Sequence, residues 1–317
     1  MDMDILLWLQ ETRLFLGPVI EEIVILISDI GGGALSLILP CIFYWLSDKK
    51  TGILLFFSFS LGNLANALIK MTACVYRPWI RDARIIPAPG GIRHARGYSF
   101  PSGHSQAASS EWLLLGWIRR HKAKWILPVS IGCVFLIMFS RCYLGYHTPQ
   151  DVLTGFLVSI PLTAASVRLF NASGKGNRMH MLAGAAAAGI LALIYFEVKS
   201  YPMDYDSGIL RVDPEEMKLS AFEAVGYFLG VHAGWYLEEK YIRFAPAVTK
   251  RDRIFRMVTG LGGVLLAWLI IPLALENILA YKWYGLTRGF MTFFTAVYIV
   301  PLIFAKWEEH KNGKSSD

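Results

Sequence analysis

Three short stretches of this sequence combine cations, histidines and a carboxylate at spacings that could act together on an anion. In KMTACVYRP, Lys70 and Arg77 stand seven residues apart, so a continuing helix would carry them two turns apart on one face before Pro78 ends it. Two cations on one face repel unless an anion sits between them, and phosphate oxygens suit a bidentate Arg beside a point-charge Lys. The same pair also reads as two snorkelling side chains at a membrane interface. In SFPSGHS, Ser102 is a good N-cap and Gly103 opens a helix whose first-turn N–H groups point toward an anion, the glycine letting it come close. His104 stands beside that position, where a histidine can equally be a cap or an interface residue. In SRCYLGYHTPQD, Thr148 and Pro149 read as an N-cap and first helical residue, with Asp151 in the first turn and His147 just ahead of it. An Asp within reach of an imidazole N–H fixes the tautomer and leaves the other nitrogen free to attack. Arg141 adds a third cation.

The elements that position these residues must live in a membrane. Of 317 residues, 55% are hydrophobic and only 17% charged, and the mean hydropathy is +0.44. That is too apolar for one water-soluble core. Runs near the ~20 residues that cross roughly 30 Å of hydrocarbon fall at 33–47, 51–71, 104–118, 125–144, 150–168, 179–197, 218–237, 257–279 and 288–305. The expected fold is an all-α polytopic membrane helix bundle of about nine spans. The first run can be lengthened back through ILISDIGGG, where the glycines permit a bend or close packing. Over residues 1–24, Leu6, Leu7, Trp8, Phe15 and Leu16 are interrupted by Glu11, Arg13, Glu21 and Glu22, which predicts an interfacial amphipathic helix. The acidic start MDMD argues against a signal peptide, and an extra span would bury Glu21 and Glu22 at high cost. The expected organisation is an interfacial segment at 1–32, a transmembrane core at 33–170, and further spans with a cytoplasmic tail at 171–317.

Orientation follows from the basic loops. DKK at 48–50, RRHKAK at 119–124, the linker with Arg168, Lys175 and Arg178, the run from Lys240 to Arg256 and the tail from Lys306 all fall on one side under strict alternation. The positive-inside bias makes that side cytoplasmic. Segments 72–103 and 141–149, which carry most of the chemistry, then face outward, as does the acidic stretch 201–216. The loop at 79–98 carries Arg81, Arg84, Arg93 and Arg96, and reads either as a lid that draws an anionic substrate or as a binder of anionic headgroups. Glu111, seven after His104, either shares its helix face toward a substrate or makes a polar packing contact. Glu223, His232 and Glu276 read as structural, and AGAAAAG at 183–189 as close helix packing. Cys41, Cys74, Cys133 and Cys142 show no CxxC spacing and read as small packing residues.

Lys70, Arg77 and Pro78, then Pro101, Ser102, Gly103 and His104, then Ser140, Arg141, His147 and Asp151 together resemble the three-part signature of the type 2 phosphatidic acid phosphatase superfamily, over roughly residues 50–165. The resemblance implies a metal-independent phosphatase, needing no cofactor, built on a helical core. It implies that His147 attacks phosphorus to form a phosphohistidine, that Asp151 orients it, and that His104 protonates the leaving oxygen and then activates water. Lys70, Arg77, Ser102, Gly103 and Arg141 would hold the phosphoryl oxygens. The implied substrate is a lipid phosphate or polyprenyl diphosphate handled at the extracytoplasmic face, with a bacterial inner membrane preferred and no nucleic-acid partner. A soluble sugar phosphate is the alternative, because the nine-span count also resembles glucose-6-phosphatase. From a different class, a transporter or an inactive lipid-binding relative remains, against which the complete catalytic set argues.

Overall fold

The structure, a computed structural model, describes residues 2–31, 35–89, 97–172, 174, 177–206, 208–246, 249–275 and 278–313. Arg93, Arg96, Lys175, Glu276 and the glycines at 32 and 33 lie outside the described residues. In chain order the helices are α1 (Asp2–Leu16), α2 (Pro18–Asp29), α3 (Leu35–Ile42), α4 (Lys49–Ala73), α5 (Pro78–Arg81), α6 (Gly103–Ala108), α7 (Leu114–Arg119), α8 (Ile126–Tyr143) and α9 (Pro149–Ala172). After these come α10 (Arg178–Val198), α11 (Pro214–Tyr241), α12 (Lys250–Leu275), α13 (Tyr281–Phe294) and α14 (Val300–Gly313). A two-residue antiparallel pair, β1 (Tyr205–Asp206) with β2 (Ile209–Leu210), is the only sheet among the described residues. The fold is all-α, as expected.

Six segments are long and apolar enough to cross a membrane by length and composition: Lys49–Arg81, Ile126–Tyr143, Pro149–Ala172, Arg178–Val198, Lys250–Leu275 and Tyr281–Lys311. The expected nine are not reached on that measure. The run from Gly103 is interrupted by a π turn at Ser109–Leu113 that contains Glu111, and α11 carries Glu215, Glu216, Lys218, Glu223 and Lys240 along its length. The N-terminal region also differs from the single helix expected over 1–24. It breaks into α1 and α2 at Gly17, whose φ of +80° is open to glycine without a Cβ penalty, and Pro18 then starts α2 at a position where proline costs no hydrogen bond.

The chain divides into two compact units. The first comprises Met1–Leu37, Leu61–Ala165 and Lys199–Met217. Its apolar core joins Leu6 and Leu9 of α1 to Val134, Met138, Cys142 and Tyr143 of α8, to Leu144, Tyr146 and Val152, and to Ile85 and Ala88 of the preceding loop. α1 also clasps that loop through polar contacts. Gln10 Nε2 donates to Arg84 O at 3.1 Å, Ile86 N donates to Gln10 Oε1 at 2.6 Å, and Arg13 Nη2 donates to Ile86 O at 2.5 Å.

The second unit comprises Ile38–Ser60, Ser166–Val198 and Lys218–Asp317. Here α11 and α13 cross at backbone contact. A Cβ on Gly226 would lie 2.3 Å from Leu286 O, one on Gly230 2.6 Å from Phe290 O, one on Gly285 2.4 Å from Leu219 O and one on Gly289 2.3 Å from Glu223 O. Glycines four apart on both helices make a small-xxx-small crossing from each side. Next to it Glu223 accepts two hydrogen bonds from the Arg288 guanidinium, at 2.8 and 2.6 Å, so this buried carboxylate is paired. His232 lies 2.7 Å from Phe228 O through Nδ1, with Phe57 edge-on at 4.6 Å. Within the 183–189 run, Gly189 meets Leu229 closely, a Cβ there falling 3.0 Å from Leu229 Cδ2.

Candidate active site

The first unit holds every residue of the three motifs, and local capping chemistry places the most important ones. At the start of α9, Thr148 N donates to Asp151 Oδ2 at 2.9 Å while Asp151 N donates to Thr148 Oγ1 at 3.2 Å. This is a reciprocal capping box closed by Asp. It pins the carboxylate, which is 2% exposed, and leaves His147 next to the cap, two residues ahead of the helix. The two ring nitrogens of His147 then face different partners. Nε2 lies 2.9 Å from Arg77 Nη1, and Nδ1 lies 3.3 Å from Ser99 Oγ.

Those partners assign the protons. A guanidinium only donates, so Nε2 accepts and Nδ1 carries the hydrogen. Ser99 Oγ donates its own proton to Asp151 Oδ2 at 2.5 Å and is left to accept from Nδ1–H. Nδ1 itself stands 3.5 Å from Asp151 Oδ2, at the outer limit for a hydrogen bond. The serine hydroxyl therefore carries the connection between imidazole and carboxylate. Burial, and after it the charges of Arg77, Arg141 and Lys70, holds the His147 pKa well below the ordinary imidazole value. The ring is neutral at pH 7, with its lone pair on Nε2.

Arg77 reaches that nitrogen, though not by the route the spacing predicts. The helix carrying Lys70 does not continue to Arg77. α4 ends at Ala73, Cys74 takes a φ of +48°, and Arg77 is extended ahead of Pro78. Arg77 is 4% exposed and also donates to Tyr146 O at 3.0 Å and, through Nε, to Gly97 O at 3.3 Å. Arg141 is 1% exposed, lies over the Tyr146 ring at 4.7 Å, and donates through Nη1 to Ser28 Oγ at 2.7 Å. Its Nε is buried without a hydrogen-bond partner. Lys70 feels Arg77, Asp151 and Arg141 electrostatically, and His104 feels Arg141, His147, Arg77 and Lys70. The three motifs thus form one charged cluster.

Ser102 caps α6. Its Oγ accepts from Ser105 N at 3.4 Å and Ser105 Oγ at 3.0 Å, and its N–H donates to Asp151 O at 3.0 Å. The last of these bonds fixes the start of α6 against the start of α9. Gly155 makes that approach possible, since a Cβ there would fall 2.7 Å from Ser102 O. Asn66 and Gln106 tie α6 back to α4, with Asn66 Nδ2 donating to Gln106 Oε1 at 2.8 Å and Gln106 Nε2 to Gly62 O at 2.6 Å. Around Gly103 there is room: a Cβ would meet only Asn66 Oδ1, at 3.7 Å. Ser140 turns back to its own helix, donating to Ile137 O at 2.7 Å. Glu111 is 1% exposed and has an unpartnered Oε1.

In the 79–98 loop, Arg81 is exposed. Arg84 is engaged with Asp82, Nη2 to Oδ2 at 2.7 Å and Nε to Oδ1 at 3.0 Å. These bonds hold the Asp82 carboxyl down to about 2, so Arg84 is a paired charge. Sequence reasoning passes over three residues that shape the cluster. Ser99 lies inside the quoted SFPSGHS but matches no spacing rule; Tyr146 sits beside His147 and presents a ring and a carbonyl; Ser28 is remote in the chain and carries no local signal.

Comparison with known proteins converges on the same region. The profile of the PAP2 superfamily matches residues 51–175, and the profile described as PAP2 superfamily phosphatase, transmembrane extension, matches residues 222–312. The chain is 28% identical over 159 residues to phosphatidylglycerophosphatase B of Bacillus subtilis, covering 46% of this chain and 72% of that protein. It is 31% identical over 124 residues to an undecaprenyl-diphosphatase of Sulfolobus acidocaldarius, covering 38% of this chain and 56% of the other. It is 32% identical over 109 residues to sphingosine-1-phosphate phosphatase 2 of Mus musculus, covering 33% and 28% respectively. No solved structure gives a significant match.

Proposed function

Because this chain belongs to the PAP2 superfamily of phosphatases and is an integral membrane protein, we propose that it hydrolyses a lipid phosphate or polyprenyl diphosphate at the extracytoplasmic face, through a phosphohistidine on His147. The observation that carries this reading is the proton assignment of His147. Its Nε2 lone pair points to Arg77 at 2.9 Å, and its Nδ1–H is anchored through Ser99 to Asp151. A phosphoryl group entering the cluster takes the Arg77 N–H groups onto its oxygens and exposes Nε2. Nε2 then bonds to phosphorus as the bond to the leaving oxygen breaks, and His104 supplies the proton that oxygen needs. In the second half His104 takes a proton from water, the water oxygen bonds to phosphorus, and the N–P bond breaks to release phosphate and restore the lone pair.

Lys70, Arg77 and Arg141, with the N–H groups at the start of α6 beside Gly103, stabilise the charge on the non-bridging oxygens. This is the dominant contribution in phosphoryl transfer, where positioning and electrostatics do most of the catalysis. The donors that converge are cations and N–H groups, which meet phosphate without an intervening metal. The relatives named above act by name on phosphatidylglycerophosphate, undecaprenyl diphosphate and sphingosine-1-phosphate. Each is a phosphate on an apolar tail, and that supports a lipid over a sugar phosphate for this chain. The test is rapid quenching during turnover of phosphatidylglycerophosphate and undecaprenyl diphosphate in detergent. An acid-labile, base-stable phosphoryl group on His147 is expected, with His147→Ala losing more than about 1,000-fold in rate. Full activity in folded His147→Ala would sink the mechanism.

A further inference from the structure

We propose that α2 is a working part of the phosphate site, and that Ser28 is a positioning residue for Arg141. The inference rests on the reading of Arg141 as a phosphate-binding cation. α2 lies outside both regions matched by the family profiles, 51–175 and 222–312. Even so, the Ser28 hydroxyl is fully buried and accepts from Arg141 Nη1 at 2.7 Å, a link spanning 113 residues of sequence. The guanidinium has two further constraints: the Tyr146 ring beneath it at 4.7 Å and the nearby charge of Asp29, the residue after Ser28.

An arginine whose guanidinium lies over an aromatic ring can still swing across it as its side-chain torsions change. One hydrogen bond at one edge removes that freedom. Here the anchored edge is Nη1, and Nε, buried with no protein partner, is left for a ligand oxygen. A buried N–H of a charged group without an acceptor is costly, and an oxyanion held by the surrounding cations satisfies it. Ser28 therefore sets which edge of Arg141 meets the phosphoryl group. On the side of α2 opposite Ser28, Val19, Ile23 and Leu26 are 67%, 48% and 58% exposed, with Glu22 exposed beside them.

The probe is inorganic phosphate alone, titrated into the full-length protein in detergent, with turnover of a lipid phosphate measured in parallel. Ser28→Cys keeps the volume and loses the good acceptor; it should weaken phosphate binding roughly 10-fold and raise KM more than it lowers kcat. Ser28→Thr keeps the oxygen and should restore both. In an Arg141→Ala background Ser28→Cys should add nothing, which a purely structural role for the serine would not produce. Wild-type phosphate affinity in Ser28→Cys, or an equal loss with and without Arg141, would overturn the proposal. Unchanged phosphate binding in Arg141→Ala alone would instead overturn the site reading beneath it.

Discussion

Ser99 is the residue that links the His147 ring to Asp151. A histidine and an aspartate four apart suggest a direct pair, and the spacing is correct to bring them together. In the folded chain Nδ1 and the carboxylate are nevertheless 3.5 Å apart, with the Ser99 hydroxyl 3.3 Å from one and 2.5 Å from the other. The hydroxyl can do this because it both donates and accepts, whereas a carboxylate already receiving Thr148 N–H at 2.9 Å is committed to capping α9. Ser99→Ala should leave a buried Nδ1–H without its acceptor. A lost hydrogen bond to a charged network is worth about 1.5–3 kcal/mol, or roughly 10- to 100-fold in rate, with the fold retained by circular dichroism. Steady-state kinetics with a lipid phosphate read this out. A change of less than about twofold would mean that Asp151 steers His147 unaided.

At the scale of elements, the ends of helices do the positioning. α9 begins at a Thr–Pro–x–Asp box and α6 at Ser102, and one backbone hydrogen bond, Ser102 N to Asp151 O at 3.0 Å, joins the two starts. Both starts are legible because capping is local, set by residues within four positions of each other. The break between Lys70 and Arg77 was not legible. Nothing in ACVY forbids a helix, and the turn at Cys74 is stabilised by long-range bonds such as Ser99 N to Val75 O at 2.7 Å. Between α11 and α13 the glycines let the two backbones touch, so a methyl group there decides how close the helices come. Gly289→Ala would put a Cβ 2.3 Å from Glu223 O, while Gly184→Ala on α10 meets nothing within 4 Å. We expect the first to lower stability by about 1–3 kcal/mol and the second to leave it unchanged or slightly higher, by thermal unfolding in detergent. Equal midpoints for both variants would refute a backbone-contact crossing.

Taken as a whole, the chain offers a bilayer two kinds of information. Apolar runs say where it can cross, and basic loops say which side stays inside. On that reading the loop with His147 faces outward. In sealed right-side-out vesicles, a short-chain lipid phosphate whose headgroup does not cross the bilayer should be hydrolysed without detergent. In inverted vesicles, hydrolysis should require permeabilisation. The reverse pattern would invert the orientation and with it the placement of the site. The share of the chain beyond 175 is not idle in this picture: residues 199–217 belong to the first unit, where Tyr76 Oη donates to Asp204 Oδ2 at 2.6 Å beside the first motif.

By itself the sequence determined the membrane setting, the all-α class and the three motifs that carry the charged residues. Each of these is written in composition, apolar run length or the types and short spacings of residues, all of which survive without coordinates. Only the tertiary structure decided how the cluster is arranged. It set which nitrogen of His147 bears the proton, that Ser99 stands between it and Asp151, that the helix carrying Lys70 breaks before Arg77, and that α2 reaches Arg141. Those outcomes depend on contacts between residues tens of positions apart, where a hydrogen bond of 2.7 Å leaves no trace in local pattern.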